Sequence, residues 1–305
     1  GGRRGGKTHE PVLLQEVMEF LAPLSERESG GRVLDGTLGL GGYSESILEA
    51  FSGIRVLGLD RDLSAISRSE RRLGRFAPRF RAVHGRFGEM GTILRDEGPF
   101  DALVFDLGVS NMQLTEAERG FSFQHDGPLD MRMDPQGNAP TAAEVLMREG
   151  AGELARIFWE YGGERYSRQI AARVEAERRR GRRIETTGQF VALIRELLPA
   201  PAQRKMGIHP ARRVFQALRI YVNDELGELE SMLSALPGLA AKEAVAVIVS
   251  YHSLEDRIVK HRFRAWEKEE GRGRVLTRHP VQPGTEETER NFKARSAKLR
   301  AFSFF

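Results

Sequence analysis

Short apolar runs that end in an acid alternate with helically spaced stretches over the first third of the chain. Arg32-Val-Leu-Asp35, Ile54 to Asp60 and Phe100 to Asp106 read as strands, with Phe80 to His84 as a further one. Between them, Tyr43 to Phe51 and Leu63 to Phe76 have helical spacing. Near-continuous apolar strands alternating with helices predict a parallel sheet covered on both faces.

After Asp106 the alternation stops. From about residue 113 to 208 no strand pattern is found; instead the spacing predicts helices over Thr141–Met147, Gly152–Glu160, Tyr166–Arg179 and Thr187–Leu198. Pro199 and Pro201 then break the chain. Alternation resumes with a helix over Ala211–Leu236, a strand over Ala244–Tyr251 and a helix over Leu254–Lys268. Two last strands are expected at Arg274–Arg278 and Ala297–Phe304. This pattern predicts an α/β core, residues 1–112 and 209–305, interrupted by an inserted helical domain over 113–208.

At 305 residues the chain is long enough for two domains. No run reaches the roughly 18 apolar residues of a membrane helix, so no membrane partner is expected. The segment Gly1 to Lys7 is basic and glycine-rich without an apolar stretch behind it, and reads as a tail rather than a secretion signal. Cysteine is absent, which removes disulfides, thiolate metal sites and cysteine nucleophiles together and suits a reducing cytoplasm. The net charge is +4, yet thirteen arginines and one lysine face four glutamates between Arg165 and Arg219. Arg178, Arg179, Arg180, Arg182 and Arg183 are the densest cluster. Such a segment suits a polyanionic partner or, more plainly, a solvated helix face.

The chemistry-bearing loop follows the first strand. Asp35-Gly-Thr-Leu-Gly39-Leu-Gly41-Gly42 puts glycines where a backbone passes close to a ligand at the carboxyl edge of a parallel sheet. The pyrophosphate fingerprint Gly-x-Gly-x-x-Gly fails, because counting from Gly39 the sixth position is Ser44. Asp60 ends the second strand, where a carboxylate accepts both ribose hydroxyls of an adenosine. An adenosine ligand without phosphates favours S-adenosylmethionine over NAD, and a nucleotide-binding oxidoreductase is the weaker reading.

These stretches carry a resemblance. His9–Leu14, Asp35–Gly42, Asp106–Ser110, Glu118–Phe123, Asp126–Asp134, Phe215–Ile220 and His252–Lys260 are similar, in this order, to the RsmH (MraW) family of 16S rRNA (cytosine N4)-methyltransferases. The resemblance implies a class I S-adenosylmethionine-dependent methyltransferase, Rossmann-like with a mostly parallel sheet and a helical insertion. It implies cofactor contacts at Gly41, Gly42, Tyr43, Asp60, Phe87, Asp106 and Gln113. Its substrate is a cytosine of the decoding region in small-subunit ribosomal RNA or the small ribosomal subunit. Tyr43 stands where the family commonly has histidine, and Asn111 where it has a second serine.

Methylation at C5 of cytosine needs a cysteine to add across the ring, which this chain lacks. Methylation at N4 needs an acceptor beside the amino group and close alignment. Asp106 is the candidate catalytic acceptor; the alternative is that it only anchors the cofactor. Phe121, Phe123, Trp159, Tyr161 and Tyr251 are candidates for stacking an unpaired or flipped base, or are core. Asp126, Asp130 and Asp134 miss the calcium-loop spacing, and no metal is expected. Ser253 is expected to cap the following helix with Asp256 at its third position, while the resemblance places the His252 loop beside the substrate. Competing readings are a methyltransferase acting on another RNA or DNA amino group, and a non-catalytic rRNA-binding assembly factor.

Overall fold

A computed structural model describes residues 10–27 and 30–305, apart from the side chain of Asn111. The Gly1 to Lys7 segment and His9 lie outside the described residues. The chain forms two compact units, one of Gly1–Gly108 with Gly227–Phe305 and the other of Val109–Leu226.

The first unit is built on a seven-stranded sheet: β1 (Arg32–Asp35), β2 (Arg55–Asp60), β3 (Phe80–His84), β4 (Phe100–Asp106), β5 (Ala240–Ser250), β6 (Gly273–Val275) and β7 (Lys298–Phe304). The order is β3-β2-β1-β4-β5-β7-β6. β1 to β5 are parallel, and β7 enters antiparallel to both β5 and β6. This is the expected α/β class with a mostly parallel sheet. Period-two alternation assigns the two faces. Leu34, Leu57, Leu59, Leu103, Phe105, Ala246, Ile248 and Phe302 pack into one core with Trp266 and Phe263. Val33, Val56, Ala102, Val104, Val245, Val247, Val249 and Leu299 pack into the other with Ile47 and Leu48. Because both faces are covered, the inner strands β1, β2, β4 and β5 are apolar over most of their length, whereas β3 at the sheet edge is only partly buried and carries Arg81 and His84.

The second unit is helical. Ala142–Arg148, Ala151–Glu160, Ser167–Arg179, Thr187–Leu197 and Arg212–Val222 enclose one core around Ile157, Phe158, Phe190, Val214 and Leu218. Thr141 and Thr186 cap their helices, Thr186 in a capping box with Gln189. The unit runs past the expected limit at 208, because Arg212–Val222 packs against Ala151–Glu160. The single helix expected over Ala211–Leu236 is two, Arg212–Val222 and Glu225–Leu239, parted at Asp224 with φ 47°. Asn223 explains the break. Its side-chain nitrogen donates to the carbonyls of Met131 and Arg219, and its Oδ1 accepts from Met133 N. Among the described residues no helix is long and apolar enough to cross a membrane.

Candidate active site

Three strands of the first unit end in carboxylates at the same edge of the sheet. Parallel strands bring their carboxyl ends together, and the loops beyond them bind ligands in open α/β sheets. Register pairs Asp35 with Gly58 of β2 and with Val104 of β4, so the ends of β1, β2 and β4 lie side by side.

The loop after β1 is pinned at both ends. Gly36 N donates to Val104 O and Leu38 N to Leu59 O. Gly36 has no room for a side chain, since a Cβ there would sit 2.1 Å from the Phe105 ring. Gly41 starts the helix Gly42–Ala50 at φ 81°, a left-handed conformation, with Leu73 close against it. Gly42 follows, packed on Pro11.

Asp60 holds the loop from the other side. Its Oδ2 accepts from Gly39 N and its Oδ1 from Asp62 N, both at 2.8 Å. The residue is partly exposed, but its carboxyl end is enclosed, and burial pushes it up to about 6. Asp35 is fully buried. Burial raises its carboxyl to about 6 against a hydrogen bond from Ser44 Oγ to Oδ2 of 2.7 Å, and its Oδ1 has no hydrogen-bond partner.

Asp106 ends β4 with its backbone N donating to Thr37 Oγ1 at 2.6 Å. Its Oδ1 accepts from Gly108 N at 3.0 Å. The Tyr43 hydroxyl stands 3.3 Å from Oδ2 and shares its one proton with the Val12 carbonyl. Tyr251 brings a second hydroxyl. It follows β5, its ring packs over Gly108, and its buried hydroxyl lacks an in-line partner. Burial first, then the Asp106 charge, raises both phenols well above 10, so both stay protonated. Two neutral hydroxyls therefore face one carboxylate.

The remaining expected residues are placed as follows. Phe87 opens a short turn, half-buried and edge-on to Phe105 with centroids 6.2 Å apart. Glu228 fixes that turn by accepting from Gly88 N at 2.9 Å. Gln113 lies in the second unit, where it closes a capping box with Ser110.

The arginine cluster also lies there and divides. Arg178 donates to the carbonyls of Leu146 and Glu149, closing the end of helix Ala142–Arg148. Arg179 pairs with Glu175 and Arg182 with Glu177 while both remain exposed. Arg180 and Arg183 are exposed. Of the aromatic candidates, Phe121 is core, Phe123 stacks on His209 at 4.4 Å, and Tyr161 sits under Arg156. Trp159 is 59% exposed.

The acids read as unsuited to metal have structural partners. Asp126 accepts from Gly188 N, Asp130 pairs with Arg132, and Asp134 accepts from Gln136 N. The cap of the last long helix is shifted by one residue from expectation. His252, not Ser253, is the cap of Ser253–Lys268, and its Nδ1 accepts from Glu255 N. Glu255 Oε2 accepts from Tyr251 N, and its Oε1 lies 2.8 Å from His252 Nε2, out of line for a hydrogen bond. Asp256 instead forms a buried, two-pronged pair with Arg300 of β7 at 2.7 and 3.1 Å. Thr37 and Glu228 went unnoticed in the sequence. Each acts on a partner far along the chain, and no local pattern marks them.

Comparison with known proteins follows the same lines. The profile of the MraW methylase family matches residues 6–305. A "Ribosomal RNA small subunit methyltransferase H" from Nocardioides sp. is 45% identical, over 97% of this chain and 96% of its own length. The protein of that name from Trichlorobacter lovleyi is 46% identical, over 96% and 97%. Among solved structures, an rRNA methylase from Streptococcus thermophilus is similar at 9% identity and a TM-score of 0.41, over 95% of both chains. Matched along nearly its whole length by the profile and by these relatives, the chain belongs to the MraW methylase family.

Proposed function

We propose that this protein methylates N4 of a cytosine in the decoding region of 16S rRNA. By family it is an S-adenosylmethionine-dependent rRNA methyltransferase. The residues present fit that donor. The Cβ position of Gly39 faces open space at the loop, Asp60 keeps a lone pair on each oxygen for the ribose hydroxyls, and Asp35 holds an unpartnered buried oxygen. S-adenosylmethionine, when bound, supplies an electrophilic methyl group on a sulfonium.

The observation that carries the N4 assignment is Asp106 at the end of β4, faced by two phenols that stay neutral, in a chain without cysteine. Each Asp106 oxygen accepts one bond from the protein and keeps capacity for another. A cytosine amino group donating to it has its nitrogen lone pair drawn out of the ring. With the donor bound, the nitrogen would take the methyl group as the sulfonium released it, and Asp106 or water would accept the proton that the cationic nitrogen sheds. The Tyr43 hydroxyl and Gly108 N hold the carboxylate in place.

The arginine-rich second unit is the proposed docking surface for small-subunit rRNA or the small ribosomal subunit, with the cytoplasm as the place of action. The test is single-turnover methyl transfer to small-subunit rRNA at saturating cofactor, with the product nucleoside identified by mass spectrometry. Asp106→Asn should slow turnover about 10²–10⁴-fold, with Asp106→Ala at the upper end. Normal turnover in both variants would reduce Asp106 to a cofactor anchor, and a product other than N4-methylcytosine would overturn the assignment.

A further inference from the structure

The segment 291–300, Asn-Phe-Lys-Ala-Arg-Ser-Ala-Lys-Leu-Arg, carries four basic residues and no acid. It follows the helix Thr285–Arg290, which carries Glu286, Glu287 and Glu289. Sign of charge therefore reverses within a few residues. The basic part opens with a one-turn helix, Phe292–Ser296.

That turn is fixed from below. Asn291 caps it by accepting from Lys293 N, and Ala294 N and Ala297 N close onto the carbonyls of Asn291 and Ala294. Ala294 and Ala297 are buried in the core beside β7. An apolar side chain two residues before such an anchor would normally turn inward. Phe292 instead stands 65% exposed. One of its faces is covered by the Arg295 guanidinium, 4.4 Å from the ring centroid, and among the described residues no carboxylate pairs with Arg295. Lys293 turns the other way. Its ammonium lies 5.5 Å from the centroid of Tyr251, the residue whose hydroxyl faces Asp106. An exposed ring backed by a cation thus sits at the outer end of a contact chain that begins at the candidate acceptor.

We propose that the Phe292 ring, backed by Arg295, is a stacking ledge for the nucleotide that flanks the target base in single-stranded RNA. The inference rests on the rRNA methyltransferase reading above. A base has a π-face whatever its identity, so the ring grips without reading sequence, and Arg295 adds attraction for the adjoining phosphate. Glu286 and Glu289 of the preceding helix disfavour phosphate, which biases the strand toward the basic segment. A second copy of this chain or a ribosomal protein would not need this pairing of ring, guanidinium and proximity to Asp106.

The test compares wild type, Phe292→Ala, Phe292→Trp and Arg295→Gln on protein-free 16S rRNA and on small ribosomal subunits. Phe292→Ala should raise KM for RNA about 5- to 150-fold, the worth of one base stack. The maximal rate should stay within about twofold, and cofactor affinity should not move. Phe292→Trp should restore KM, and Arg295→Gln should raise it and flatten its salt dependence. An unchanged KM in Phe292→Ala overturns the ledge. So does an effect seen only with assembled subunits, which would mark a protein partner, or a shift in sedimentation, which would mark self-association. If wild type makes no N4-methylcytosine, the parent reading fails; if it does and Phe292→Ala keeps its KM, only the ledge fails.

Discussion

Replacing Asp60 tests the cofactor site most directly. Its carboxyl is raised from 3.8 to about 6 chiefly by burial, so its ionised form costs at most about 3 kcal/mol relative to water. Two ribose hydroxyls donating to it would offset about 1.5–3 kcal/mol of that cost. Asp60→Ala should then weaken S-adenosylmethionine binding about 10- to 150-fold. Asp60→Asn should fall in the same range, because its amide presents an N–H toward either Gly39 N or Asp62 N and loses one loop contact. The pH dependence follows from the same value. Below about pH 6 the acid protonates and cannot accept both hydroxyls, so the dissociation constant should rise about tenfold per unit of further acidification. For the apoprotein the sign is opposite. A raised folded value means this group favours folding below the unfolded value, and that contribution is lost as pH rises through about 6. Titration calorimetry from pH 5 to 8 on wild type and both variants measures this. Affinity that is flat in pH, or unchanged in Asp60→Ala, refutes the reasoning.

Other substitutions separate docking from structure. Arg180→Gln with Arg183→Gln should lower the salt slope of RNA binding by about 0.7 per lost phosphate contact on single strands and leave thermal stability alone; an identical slope would remove this patch from the interface. Arg178→Gln should instead cost about 1–3 kcal/mol through the carbonyls it leaves unpaired, lowering Tm about 2–4 °C per kcal/mol. Asp256→Ala should cost about 3–5 kcal/mol in urea unfolding, because Arg300 is left charged and buried, and adding Arg300→Met should recover much of the loss. A loss below about 1 kcal/mol would mean that Arg300 finds another partner.

The inner strands of the core were legible because burial on both faces makes them apolar over most of their length, while β3 showed only a short run around Ala82 and Val83. β3 and β4 match their expected limits, and β1 and β2 differ by at most one residue. β5 starts four residues earlier than its pattern suggests, since Ala240 to Glu243 form an irregular lead-in with a register shift against β4. The break at Asp224 was hidden because Asn223 is tied by Met131 and Met133, about ninety residues away. At the site, the acids at strand ends and the glycine loop were readable as local patterns. The cap at His252 was misread by one residue because a histidine ring nitrogen replaced the usual hydroxyl. The uses of Arg178, by contrast, depend on where Leu146 and Glu149 lie in space, and a run of arginines does not reveal that.

The interruption of the sheet between β4 and β5 has a consequence for how the chain assembles. β4 and β5 lie side by side, with Phe105 opposite Ile248, yet residues 109–226 are made between them. During synthesis from the N-terminus, β1 to β4 emerge first, leaving one edge of β4 with open amides, carbonyls and apolar side chains. The helical unit has a core of its own, built from residues that all precede β5, so it can close before β5 is made. Only afterwards do β5 and the antiparallel β7 arrive to seal that edge. Closing so long a loop adds little entropic cost beyond that of a short one. The exposure is therefore one of time, and the nascent β4 edge is where aggregation of this protein would begin.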